Sequence, residues 1–196
     1  MPEIAVQNTG ATLPEAALTA ALGRRSIVLV GMMGAGKSSI GRRLAVRLNL
    51  PFVDADTEIE KAASMTIPEI FTAHGEAYFR AGEARVIARL LESGPQVLAT
   101  GGGAFMNPET RAVIHVKGIS IWLKADIDVL MKRTKRRNDR PLADRIKELM
   151  PLREPFYAQS DVVVRSRDEP HDTIVDEIMS ALAKRLGVAD DAEKQP

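Results

Sequence analysis

The chain has 196 residues, 45% hydrophobic and 27% charged, with no cysteine and a formal net charge of +1. That length suits one domain with a sizeable core, and the missing cysteines exclude disulfides, thiolate catalysis and cysteine zinc sites. The small net charge gives no global pull toward nucleic acid or membrane; with no ~20-residue apolar run and no basic-then-apolar start, the expectation is a cytoplasmic protein.

Met1–Gly10 reads as a flexible tail, and alanine-rich Pro14–Leu22 as a short helix stopped by Gly23. Ile27–Val30 is a continuous apolar run, the pattern of a strand buried on both faces. A glycine-rich turn leads into a helix over Lys37–Leu48, and Phe52–Val53 forms a second strand ending at Asp54. Helical stretches follow at Ile67–Ala73 and Glu76–Leu91, then a third strand at Gln96–Thr100 running into Gly101-Gly102-Gly103. A helix at Pro108–His115, a strand at Ser120–Leu123 and a helix at Asp126–Thr134 come next. Lys135–Ala143 is polar, basic and irregular. Asp144–Tyr157 is helical, Val162–Val164 a fifth strand, Asp172–Leu186 a closing helix and Asp190–Pro196 a frayed end. Alternating strands and helices predict parallel βαβ units with right-handed crossovers. The expected fold class is α/β, a three-layer α/β/α sandwich on a five-stranded parallel sheet. Ligands of such sheets bind beyond the carboxyl ends of the strands, so Gly31–Ser38, Asp54–Asp56 and Gly101–Gly103 should share one crevice.

Gly31-Met32-Met33-Gly34-Ala35-Gly36-Lys37-Ser38 matches G-x-x-x-x-G-K-[ST] between a strand and a helix. Glycines let the backbone turn sharply and aim its N–H groups at phosphates, and the helix adds its positive end. Lys37 is placed to reach the β- and γ-phosphates and the Ser38 hydroxyl to bind Mg²⁺. A glycine turn with an ordinary lysine is the competing reading, and the strand–loop–helix setting weighs against it.

Asp54 and Asp56 lie two apart at a strand end and, if extended, project to one side. They suit Mg²⁺ coordination through water and orientation of an acceptor hydroxyl. An Asp-rich turn, with Asp56 capping a helix near Thr57, is the plainer alternative. The glycine triplet offers bare backbone to a ligand, or is simply a turn. Arg80 and Glu83, spaced i, i+3, form either a site pair or an exposed surface pair; spacing leaves the two even. Lys132–Arg137 holds five basic residues in six, and Arg140 follows. A solvated basic loop or an RNA patch is the competing view; an RNA patch would bring stacking aromatics, which are absent here, and a cationic lid over a triphosphate is the more economical reading. Nothing in its spacing marks Arg153. The residues by themselves thus reach an ATP-dependent kinase with an unknown small acceptor.

Together these motifs resemble the shikimate kinase family over about 26–186, most of the chain. The resemblance rests on the P-loop, Asp54-x-Asp56, Ile70-Phe71 leading to Gly75-Glu76, and Phe79-Arg80-x-x-Glu83. Gly101–Gly103, Arg140-Pro141-Leu142 and Arg153-x-Pro155-x-Tyr157 complete it. It implies a P-loop NTPase fold with a substrate-binding flap and a lid. The implied activity is transfer of the γ-phosphoryl group of ATP to the 3-hydroxyl of shikimate, in aromatic amino-acid synthesis. By the same resemblance, Gly34, Ala35, Gly36, Lys37, Ser38 and Ser39 surround the nucleotide phosphates. Ser38 and Asp54 hold Mg²⁺, Asp54 through its water shell. Asp56 binds the shikimate hydroxyls, and Arg80 and Arg153 clamp its carboxylate, with Glu83 orienting Arg80. The backbone at Gly102 and Gly103 completes that pocket. Arg133 lies beside the adenine, and Arg140 descends with the lid. Lys37, Asp56 and Arg140 are then the catalytic residues.

The implied domains are an N-terminal extension at 1–24, the kinase domain at 25–187 (flap about 57–91, lid about 135–143) and a tail at 188–196. A monomer without nucleic-acid or membrane partners is expected. Ala143 stands where the family often has a second leucine, and no Asp-ended Walker B strand is present, a trait the family shares. Gluconate and nucleoside-monophosphate kinases share the fold and are rivals, as is an RNA-associated nucleotide-binding module.

Overall fold

The computed structural model describes residues 13–134 and 145–188. The expected tails at Met1–Gly10 and Asp190–Pro196, and the lid at 135–143 with Arg140, lie outside the described residues.

Five parallel strands form the central sheet: β1 (Ser26–Val30), β2 (Phe52–Asp54), β3 (Val97–Ala99), β4 (Gly118–Lys124) and β5 (Val162–Arg165), in the order β2-β3-β1-β4-β5. Every residue of β1 is buried, as an apolar run in the middle of a covered sheet must be. Its register pairs Leu29 with Ala99 on one side and with Ile121 on the other. β5 is an edge strand that buries only alternate residues, Val162 and Val164.

Strand order and the right-handed crossover rule place the helices. The step from β1 to β2 runs toward one edge and sets α2 (Lys37–Leu48) on one face. Every later step runs the other way. It sets α3 (Ala55–Ala63), α4 (Ile67–Glu92), α5 (Pro108–Lys117), α6 (Ile127–Thr134) and α7 (Ile146–Tyr157) on the opposite face. α8 (His171–Leu186) returns to pack with α2, and α1 (Leu13–Leu22) packs on both. The connections leave the neighbouring strands β1 and β3 toward opposite faces, which opens a crevice at their carboxyl ends.

The expected elements appear, with corrections. The sequence reading holds α3 only as the plainer alternative, a helix near Thr57 capped by Asp56, whereas the helix starts at Ala55 and is capped by Asp54. It passes over a short 3-10 turn at Ala104–Met106. The two helices foreseen at 67–73 and 76–91 form one element broken by non-helical backbone at Gly75, with φ 81° and ψ 174°. Thr66 and Glu69 cap its start reciprocally. α1, within the expected N-terminal extension, packs onto the sheet-flanking helices. Leu18 and Leu22 join the main core, and Glu15 pairs with Arg47 of α2 at 2.7 Å.

Candidate functional site

The loop between β1 and α2 curls around its own lysine. Gly36 takes φ 93° at the helix start, a conformation that strains any side-chain-bearing residue. Lys37, 8% exposed, donates from Nζ to the carbonyls of Gly31 at 2.7 Å and Met32 at 2.9 Å. Ala35 is buried behind the loop, where its carbonyl accepts from Ser166 Oγ at 2.8 Å. A cleft of about 350 Å³ opens in front, lined by Gly34, Gly36, Lys37, Ser38 and Ser39 of this loop. Asp54, Asp56, Thr100, Gly101 and Gly102 line it from the β2 and β3 ends.

At the other rim stand Arg133, Thr134 and His171. Arg133 is held there by bonds to Ser166 Oγ at 2.9 Å and to the carbonyls of Gly34 and Arg167. His171 went unnoticed in the sequence, where a histidine opening a polar helix carries no signal. Its pKa is lowered, first by burial and then by Arg43 and Arg133.

Ser38 Oγ donates to Asp54 Oδ2 at 2.8 Å, while Asp54 Oδ1 accepts from the Asp56 backbone N–H at 3.1 Å. Asp54 therefore ends β2, caps α3 and faces the phosphate loop at once. The two aspartates reach the cleft, but not as an extended pair: Asp56 sits in the first turn of α3. A Cβ on Gly101 would come within 2.9 Å of Asp56 Oδ1, so Asp56 lies against the glycine turn. The Ser38 hydroxyl and the Asp54 carboxylate are hard oxygen donors at the phosphate loop, the donor type magnesium requires. Among the described residues no group of three acidic or histidine side chains forms a metal cage. An ion there would keep waters and phosphate oxygens in its shell.

The glycine turn is packed on its far side by two guanidinium groups. A Cβ on Gly103 would collide with the Arg80 guanidinium, and one on Gly102 would lie 3.3 Å from Arg153 Nη1. Arg80 Nη1 pairs with Glu83 Oε2 at 2.7 Å, and its Nη2 lies 3.4 Å from Glu76. Glu83 is 2% exposed and its Oε1 makes no hydrogen bond. Burial pushes its pKa up while Arg80 pulls it down. The surface-pair reading of Arg80 and Glu83 is thereby excluded. Arg153 is buried on α7, and its Nη1 also lacks a hydrogen-bond partner. A buried guanidinium nitrogen left open is costly unless an anion meets it. Neither arginine lines the 350 Å³ cleft itself; both stand just beyond its Gly101–Gly102 wall.

Residues 33–183 match the family model described as shikimate kinase. The chain is 63% identical over 179 residues to the shikimate kinase of Bradyrhizobium diazoefficiens, covering 88% of this chain and 86% of that one. The chain belongs to the shikimate kinase family.

Its relative in Rhodopseudomonas palustris, also a shikimate kinase, is 60% identical across 92% of both chains. Among solved structures, the shikimate kinase of Acinetobacter baumannii in complex with shikimate aligns with a TM-score of 0.80 and 32% identity, covering 85% of this chain and 97% of that one. A gluconokinase from Sinorhizobium meliloti aligns with a TM-score of 0.56 at 21% identity, which speaks for the fold alone. Membership makes the chain a shikimate kinase by activity, an ATP-using phosphotransferase of aromatic amino-acid biosynthesis. No helix among the described residues is long and apolar enough to cross a membrane.

Proposed function

We propose that this cleft carries the γ-phosphoryl group of Mg-ATP to the 3-hydroxyl of shikimate through the residues that line and back it. The observation that carries the reading is the pair of guanidinium groups packed against Gly102 and Gly103, one with an open buried nitrogen, beside a cleft lined by a phosphate-binding loop.

The acceptor is an alcohol bearing a carboxylate. Arg80 and Arg153 would take the carboxylate, since a guanidinium binds it with two parallel donors where an ammonium cannot. Asp56, against Gly101, would accept a hydrogen bond from the ring hydroxyls and turn the 3-hydroxyl toward the donor. The transition state is loose, so a strong base matters less than alignment. On the donor side, Lys37 now satisfies itself on the Gly31 and Met32 carbonyls, and phosphate oxygens would replace them. The backbone N–H groups from Gly34 to Ser39 and the start of α2 would hold the remaining charge. Ser38 and Asp54 would hold magnesium, Asp54 through water, and the ion would supply charge neutralisation on the transferring phosphate. Arg133, fixed by Ser166 and Arg167, would lie flat beside the adenine. Arg140 would close on the phosphates as part of a lid over 135–143, a role drawn from the family resemblance alone.

We read the protein as a monomer, 25–187 as the catalytic domain and the cytoplasm as its location, with no nucleic acid or membrane in its work. The test is release of ADP from Mg-ATP with shikimate, gluconate or AMP as acceptor. Shikimate alone should be phosphorylated, and turnover of gluconate or AMP in its place would defeat the assignment.

A further inference from the structure

Tyr157 closes the motif that begins at Arg153, yet it has no part in the chemistry above. Its side chain is 1% exposed and its ring lies 5.8 Å from that of Trp122 on β4. Its hydroxyl donates to the Gly102 carbonyl and sits 3.7 Å from the Met32 sulfur. The phenol thus touches the phosphate loop, the glycine turn and the central sheet. A phenylalanine would fill the same space, but it would leave the inward-facing Gly102 carbonyl without this donor. Burial pushes the phenol pKa up to about 12 although the neighbouring Arg153 guanidinium, itself against the hydroxyl, pulls it down, so the hydroxyl remains a donor at working pH.

Arg153 lies one turn earlier on α7, on the same helical face. Its open Nη1 is the group nearest to where a Gly102 side chain would begin. The hydrogen bond from Tyr157 therefore ties the backbone of Gly102 to the helix that aims Arg153. Any slip between α7 and the turn would change the space between the guanidinium and the Gly102 backbone. The acceptor carboxylate has to meet the guanidinium beside this turn.

We propose that Tyr157 is a positioning residue for the acceptor: its hydroxyl locks the Gly102 carbonyl to α7 and so holds the glycine turn in register with Arg153. This rests on the reading of Arg153 as a carboxylate anchor.

Tyr157→Phe keeps the ring and removes the donor. The shikimate KM should rise about tenfold while the ATP KM stays within about twofold. In an Arg153→Ala background the same change should raise the shikimate KM by no more than about twofold, because the register no longer serves an anchor. An unchanged shikimate KM in Tyr157→Phe overturns the proposal. So does an equal rise for both substrates, the mark of general loosening, or an undiminished effect without Arg153. Wild-type turnover of shikimate is measured first, since its failure defeats the acceptor assignment whereas the variant outcomes judge Tyr157 alone.

Should Tyr157→Phe be insoluble, 3-fluorotyrosine replacement serves instead. The chain has only two tyrosines, and Tyr78 is half-exposed, so Tyr78→Phe isolates the effect at Tyr157. Fluorination changes the donor strength of the hydroxyl with little change in shape. A shift of about twofold or more in the shikimate KM alone supports the proposal, and none overturns it.

Discussion

The two ends of the cleft are built in opposite ways. The phosphate-binding part of the nucleotide end is one unbroken stretch, Gly31–Ser38, written into eight consecutive residues between a strand and a helix, with Asp54 and Arg133 added at its rim. The acceptor end is assembled from distant parts: Asp56 from α3, Arg80 from α4, the glycine turn after β3 and Arg153 from α7. A contiguous loop folds into its working shape through local backbone preference. An assembled pocket depends on the packing of four elements, and small shifts between any two alter it. Damage at the first end should therefore appear in catalysis itself, and damage at the second in acceptor affinity.

The largest effect is expected at Lys37. Its ammonium is the one side chain of the loop bonded back onto two loop carbonyls, poised to exchange them for phosphate oxygens. Lys37→Ala should lower kcat by about 10³-fold or more in a steady-state ADP-release assay, with the fold intact by circular dichroism. A kcat within tenfold of wild type would remove the lysine from the chemistry.

Arg153→Ala should break the other end differently. Loss of a buried, charge-assisted contact should raise the shikimate KM by about 10²-fold and leave the ATP KM nearly unchanged. If both constants moved together, the contrast between the two ends would fail. Arg153 also marks where sequence legibility stopped. The phosphate loop and β1 were readable because strand, loop and helix signals agree within a few residues. Arg153 stands in a helix holding Pro151 and Pro155, with no periodic or pairing signal to single it out. Only family likeness brought it forward, and His171 and Tyr157 received no role at all. The capping of α3 by Asp54 was missed for a related reason. Two aspartates at a strand end look alike in sequence, and only the backbone at Asp54, φ −105° and ψ 118°, decides which one caps.

Glu83 connects affinity to pH. Its carboxyl is buried and its pKa is raised, chiefly by that burial, so the folded protein holds this proton above the ordinary glutamate value of 4.5. The folded state then binds more protons than the unfolded one as pH climbs from that value, and the contribution of Glu83 to stability declines with rising pH. The melting temperature of Glu83→Gln minus that of wild type should accordingly rise with pH across this window. A flat difference would show that Arg80 cancels the burial. The same variant leaves Arg80 without its charged partner and should raise the shikimate KM about tenfold, less than loss of an anchor itself.

The smallest effect tests a third region against both ends. α1 lies before the stretch matched by the family model, yet it is packed into the domain. Glu15 is 7% exposed and pairs with Arg47, which also meets Asp176, so α1, α2 and α8 are joined at the end of α2 remote from the phosphates. Arg47 is itself partly exposed, which limits the pair to about 1 kcal/mol. For a chain of this size that is a fall of about 2–4 °C in melting temperature for Glu15→Ala. Both KM values and kcat at room temperature should stay within about twofold, because α2 remains anchored by Ile40, Leu44 and Leu48 in the core. A selective rise in the ATP KM would mean instead that α1 sets the angle of the phosphate-binding helix, and the nucleotide end would then be an assembled pocket like the other.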